Sequence, residues 1–227
     1  MTRTLVTFLM LFCISTISAQ IHEVGLSIGG ANYVGDVGST QYIAPKDMGY
    51  GLVYRWNRSP RHSFRFSYTQ LKISADDAKS DMGSRKKRGY AFKNNLKEIS
   101  LGMEFNFFEF DLHEPGFAAT PYLYSGLVGF EHDEFYFKKG KLYEDGKDFS
   151  MAIPIVAGFK ARLGDRLIIS AEIGARYTFT DNLDGSSASD PAFESYNFGK
   201  KNNKDWYFFS GLSLTYTFGK NPCYCTP

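Results

Sequence analysis

Apolar side chains alternate with small or polar ones along most of this chain, in segments of about ten residues, which is the two-residue period of a half-buried strand. The clearest segment sets Ile99, Leu101, Met103, Phe105 and Phe107 against Glu98, Ser100, Gly102, Glu104 and Asn106. Others place Val24, Leu26 and Ile28 against Glu23, Gly25, Ser27 and Gly29; Tyr50, Leu52, Tyr54 and Trp56 in a row; and Phe64, Phe66 and Tyr68 against Arg65, Ser67 and Thr69. Asn57-Arg58-Ser59-Pro60 reads as a tight turn joining the last two. The segment Pro121 to Phe130 is less regular, with Tyr122, Tyr124 and Val128 on one face and Leu123 and Leu127 on the other. Ile153 to Ala161, Leu167 to Tyr177 and Trp206 to Phe218 complete a set of eight, with a turn at Gly164-Asp165. No segment carries a helical period.

Which face meets water decides the function. The polar face is a mixture of Gly, Ser and Thr with Arg65, Glu98, Glu104, Lys160, Glu172 and Arg176. It lacks the dense charge of a soluble sheet and suits a narrow lumen, where small residues leave room and opposite charges pair. Aromatic residues recur at segment ends (Tyr50, Trp56, Tyr122, Tyr177, Trp206, Phe218), where a membrane barrel carries its interfacial girdles. Short connections alternate with long polar ones at 31–47, 75–95, 131–150 and 180–204, the asymmetry of periplasmic turns and extracellular loops. The expected fold is therefore all-β: an eight-stranded antiparallel up-and-down transmembrane β-barrel with long extracellular loops. Closure leaves no backbone group unpaired in hydrocarbon. A soluble, secreted ligand-binding barrel is the alternative with the opposite face inward.

Composition narrows the picture further. With 21 Phe and 15 Tyr in 227 residues the chain is too apolar for disorder, and 26 Lys+Arg against 24 Asp+Glu disfavours a nucleic-acid partner. Residues 1–19 read as an export signal, with Arg3 as the charged start, Leu5 to Ile17 as the apolar stretch and Ser18-Ala19 before the cut; residues 20–227 then form the barrel with a short periplasmic tail. Cys13 follows Phe12, where lipoprotein processing requires a small residue. Cys223 and Cys225 form a C-x-C pair in the tail, open to a local disulfide, a bridge to a partner or weak metal binding.

Chemistry is scarce. The chain lacks G-x-S-x-G, H-E-x-x-H, P-loop spacing and C-x-x-C, so no catalytic residue, cofactor or metal site is expected. A lipid-modifying outer-membrane enzyme would need a rim histidine; His132 beside Asp133 is the one such pair and reads as a solvated loop. The run Arg85-Lys86-Lys87-Arg88 falls in an outer loop, where it would meet water or lipopolysaccharide phosphates. Glu98, Glu104, Glu172, Arg65, Lys160 and Arg176 read as a lumen network, and eight strands enclose little beyond their own side chains, so a pore is not expected. The connection from Glu109 to Thr120 is too long for a periplasmic turn and holds Asp111, His113 and Glu114. Its length suggests a contact with a periplasmic partner, or a tolerated insertion.

The stretches Ile21 to Gly25, Trp56 to His62 (WNRSPRH), Arg88 to Asn94 (RGYAFKN) and Thr120 to Tyr124 resemble the PorG family of small outer-membrane barrels of the type IX secretion system. The likeness extends over nearly the whole chain after the export signal. It implies a non-enzymatic role in which the barrel associates with the periplasmic ring built from the PorK lipoprotein and PorN, and it brings no catalytic residues. With the barrel wall against outer-membrane lipid, the surface left for such a partner is the periplasmic end: Arg58, Arg61, Asp111, His113, Glu114 and the tail with Cys223 and Cys225.

Overall fold

The computed structural model describes residues 21–112, 116–188, 190–199 and 204–219. Eight strands close into one antiparallel barrel in sequence order: β1 (Ile21–Val34), β2 (Asp47–Asn57), β3 (His62–Asp76), β4 (Ala91–Asn106), β5 (Ala119–Lys138), β6 (Lys141–Arg162), β7 (Leu167–Thr178) and β8 (Trp206–Phe218). β1 seals against β8 from His22↔Phe218 to Val34↔Trp206, so neither edge is left open. None of the described helices is long and apolar enough to cross a membrane; the crossing is made by strands.

The alternation expected from the sequence holds with its apolar face outward. Leu26, Leu52, Leu101, Ile155 and Leu214 are exposed on the exterior, whereas Glu23, Arg55, Glu104 and Lys160 are fully buried inside. Only a hydrocarbon solvent makes that arrangement favourable, since water would demand the reverse. From Ile99 to Phe107 the apolar face of β4 advances about 26 Å along the strand, or about 20 Å across the bilayer at a tilt of about 40°. The exterior is thus a membrane surface, and the protein is a small outer-membrane β-barrel.

Beyond that band the strands continue, and their polarity changes phase. On β3 the outward side chains run Phe64, Phe66, Tyr68 and then Gln70, Lys72, Ser74, while the inward ones run Arg65, Ser67, Thr69 and then Leu71, Ile73, Ala75. β4 does the same, with Lys93, Asn95 and Lys97 outward over Phe92 and Leu96 inward, ahead of Ile99 and Glu98. The projecting half of the barrel is therefore built like a soluble domain. Its core gathers Tyr33, Val37, Ile73, Phe92, Leu96, Phe130, Phe135, Leu183 and Phe209.

This inversion corrects the loop assignments. Only the ends of 75–95 are strand (Ala75–Asp76 and Ala91–Asn95); the connection between them is the expected loop, but it holds a 3-10 turn (Asp77–Lys79) and a short helix, α1 (Gly83–Arg88), where no helix was expected. The stretch 131–150 is a β-ribbon whose turn is only Lys139-Gly140, both at positive φ, the pair of left-handed conformations that two-residue hairpins favour. The 179–205 connection remains a long loop, with a 3-10 turn at Pro191–Tyr196. At the opposite end, Leu163 N–H donates to Leu167 O (2.8 Å) and Arg58 N–H to His62 O (3.0 Å), closing the two short turns. By the usual sidedness of such barrels the short turns are periplasmic and the long connections extracellular.

Candidate functional site

The interior at membrane depth holds Arg55, Arg65, Lys160 and Arg176 with the carboxylates of Glu23, Glu98, Glu104 and Glu172, all buried, and Arg162 is buried one inward position nearer the periplasmic mouth. Strand parity puts them there. Arg55 Nε donates to Glu104 Oε2 (2.9 Å) and its Nη1 to Glu23 Oε2 (3.2 Å). Lys160 Nζ reaches the other Glu104 oxygen at 2.5 Å. Arg65 holds Glu172 with both terminal nitrogens, at 2.6 and 2.9 Å, a bidentate fork that fixes geometry as well as charge. Tyr122 donates to Glu172 (2.8 Å), Tyr207 to Glu98 (2.7 Å), and Arg176 lies 3.4 Å from Glu98. Asn57 and Thr215 complete the shell of Glu23 at 2.8 and 3.0 Å. The eight charges of this layer balance and its carboxylates are saturated, so among the described residues it presents no run of one sign.

Both mouths are filled. On the periplasmic side residues 107–112 turn inward, placing Phe110 in the mouth with 4% of its surface exposed and its ring 5.1 Å from Lys160 Nζ. Phe110 N–H donates to Pro60 O (3.1 Å), and Arg162 donates to the Asp111 carbonyl, so this segment is tied down. On the outer side the apolar core of the projecting half closes the axis.

The sequence candidates fall into three sets. Arg65, Glu98, Glu104, Lys160, Glu172 and Arg176 meet in the lumen. Arg58 and Arg61 lie on the periplasmic turn; Arg58 is exposed, and Arg61 donates to Phe107 O (3.2 Å) and reaches Glu109 at 3.4 Å. Asp111 is half-buried in the inturned segment. His113, Glu114, Cys223, Cys225 and the export signal lie outside the described residues.

Three expectations are corrected. Tyr122 is not a girdle residue, because its parity turns the ring inward, where Glu172 satisfies its hydroxyl. His132 is not in a solvated loop; it is buried on β5, with Nδ1 3.3 Å from the Asp133 backbone oxygen and Nε2 3.4 Å from Ser150 Oγ. The basic run is partly internal: Arg85 donates to Gly38 O (2.9 Å) and Gly35 O (2.8 Å), and Arg88 pairs with Asp77 at 2.7 Å, leaving Lys86 and Lys87 exposed. Burial of Asp77 alone would raise its carboxyl, but the Arg88 bond and the Gly38 and Tyr90 amides hold it below the usual range.

Sequence reasoning passed over Arg55, Tyr207, Arg162 and the plug residue Phe110. Arg55 was legible, since it sits between outward Tyr54 and Trp56. Phe110 was not, because it lies in an irregular segment. A cluster in the outer loops was also missed: Asp181 is pushed up to about 6 by partial burial and by the charges of Asp184 and Asp36. Asp205, buried close by, accepts a hydrogen bond from Tyr33 and one from the Leu183 amide (2.9 Å). Among the described residues, no three histidine, cysteine or carboxylate side chains converge as a metal ligand set.

Solved structures similar to this one are membrane barrels of low sequence identity. The N-terminal β-barrel domain of Pseudomonas aeruginosa OprF is 15% identical, with 88% of this chain and 98% of that one covered at a TM-score of 0.45. Neisserial surface protein A is 12% identical, with 88% and 97% covered at 0.47. Pseudomonas aeruginosa OprG is 10% identical, with 89% and 96% covered at 0.42. No curated protein matches the chain. A family model described as a domain of unknown function, DUF6089, matches residues 2–227, and the chain belongs to that family.

Proposed function

We propose that this barrel is a non-enzymatic component of the type IX secretion machinery that anchors a periplasmic ring of PorK and PorN type to the outer membrane. The observation that carries this reading is the sealed, charge-balanced interior. Among the described residues, a barrel filled from Phe110 through the Arg55–Glu104 network to the outer core offers no conduit along its axis, so what it presents is surface. On the periplasmic side that surface is the Arg58–Arg61 turn together with the 107–112 segment it grips, and the turn lies within the stretch that resembles the PorG family. His132, the one histidine a lipid-modifying enzyme would use, is buried and faces a serine and a backbone oxygen, which weighs against that alternative.

The reading is tested by purifying the tagged full-length protein from its own membranes in mild detergent and identifying what accompanies it. Ring components should copurify, and charge reversal by Arg58→Glu with Arg61→Glu should release them while heat-modifiable gel migration shows the barrel still folded. Copurification of no periplasmic protein would overturn the assignment.

A further inference from the structure

Four lysines gather on the outside of the β2–β4 wall, above the apolar band and the Gln70–Lys97 level. Lys72 and Lys93 are outward neighbours on paired strands, diagonal across the Lys72↔Asn95 and Ser74↔Lys93 register. Lys46 enters β2, and Lys79 ends the 3-10 turn after β3. Lys46, Lys79 and Lys93 line one pocket of about 350 Å³ with Ser74, Phe92 and Leu142. All four lysines are exposed, and among the described residues none meets a carboxylate within ion-pair distance. Two acids are near: Asp47 accepts from Ser74 (2.5 Å), and Asp76, which also lines the pocket, accepts from the Ala78 amide (2.9 Å). Lys97, two outward positions nearer the membrane than Lys93 on β4, is paired with Glu131 at 3.1 Å.

Four lysines against the two carboxylates of Asp47 and Asp76 leave an excess of positive charge, which costs self-repulsion, and its height on the wall says what offsets that cost. Below the lysines Tyr50, Tyr68 and Ile99 face hydrocarbon; Lys72 is four residues beyond Tyr68 and Lys93 six beyond Ile99, about 10 and 15 Å along the membrane normal, so the pocket lies in the outer part of the headgroup layer. A lipid whose acyl chains lie against those three side chains would carry its headgroup to the lysines. We propose that this wall binds the phosphorylated headgroup of an outer-leaflet glycolipid, with Lys46, Lys72, Lys79 and Lys93 contacting its phosphates. The site differs from the 85–88 run, whose arginines are committed to backbone and Asp77, and it lies on the opposite side of the membrane from the ring-docking turn.

The test measures binding of diphosphorylated lipid A to the folded full-length barrel in micelles, alongside the same lipid stripped of its phosphates and inorganic phosphate alone. Diphosphorylated lipid A should bind much more tightly than either. K46Q/K72Q/K79Q/K93Q should weaken it by about 100-fold or more, and K86Q/K87Q on α1 should leave it unchanged. Retention of affinity in the quadruple variant would overturn the site. Equal loss in both variants would reduce it to bulk charge and overturn it too, as would inorganic phosphate binding as tightly as the lipid, since that marks a site for a soluble anion. Heat-modifiable migration of each variant verifies that the barrel is folded.

Discussion

Arg55 is fully buried, and its guanidinium joins two carboxylates on two other strands, Glu23 on β1 and Glu104 on β4. Replacing it with alanine leaves both acids in a low-dielectric interior, with Glu104 retaining Lys160 and Glu23 only neutral donors. Loss of one partner of a buried pair costs about 3–5 kcal/mol, far more than the pair's net contribution to stability. Urea unfolding of Arg55→Ala from lipid vesicles is expected to show a loss of that size. Arg61→Ala, whose ion pair with Glu109 is largely exposed, should change stability by less than about 1 kcal/mol. At this scale much was readable from sequence: the parity that hides Glu104 also hides Arg55. Which carboxylate each cation meets was not, because Arg65–Glu172 joins β3 to β7 across the lumen and no strand register brings those two together.

The strands carry two patterns end to end. In the bilayer they are apolar outward; above it they are apolar inward. Read along the sequence, the change of phase looks like the end of a strand, which is why β3 to β6 were expected to stop early and their outer portions to be loops. The hydrophobic period alone gives no sign of which solvent a face meets, and it is the solvent that changes at this level. Lysine scanning along the outward face tests where the boundary lies. Leu101→Lys, in mid-bilayer, is expected to cost about 2–4 kcal/mol in vesicle refolding equilibria, and Gln70→Lys, at the boundary, about 0–1 kcal/mol. Equal costs would place the boundary elsewhere. Two facing glycines also matter here: on the paired β4–β5 wall a Cβ at Gly102 would lie 2.2 Å from Ser125 O, and one at Gly126 2.2 Å from Leu101 O, so the two backbones approach more closely than any side chain permits.

The whole molecule combines a plugged periplasmic mouth, a neutral charged layer and a soluble-type outer core. It is a solid body rather than a tube. Planar-bilayer recordings of the wild-type protein should therefore show no discrete conductance steps at either polarity; reproducible steps would mean that the network opens in the membrane. The fold class, the strand count and the sense of the outward face were all legible, because they follow from period-2 alternation and connection lengths. The seal was not, because its two ends are made by tertiary contacts of irregular segments, Phe110 below and Val37 and Leu183 above.

The way charge is distributed among the strands bears on how the protein enters its bilayer. Six of the eight carry at least one ionised group into the lumen, and partners such as Arg55 with Glu104, Arg65 with Glu172 and Lys160 with Glu104 sit on strands that are not hydrogen-bonded to each other. Only the β1–β2 hairpin carries a closely matched pair, Glu23 with Arg55; a lone strand, or a hairpin of β3 with β4 or β6 with β7, would drag a charge across the acyl layer without the partner it meets in the closed barrel. Apart from Arg55 with Glu23, the close neutralising contacts form only once strands distant in the sheet order have come together, so insertion is expected to be concerted, with the strands curling together while the bilayer is still parted.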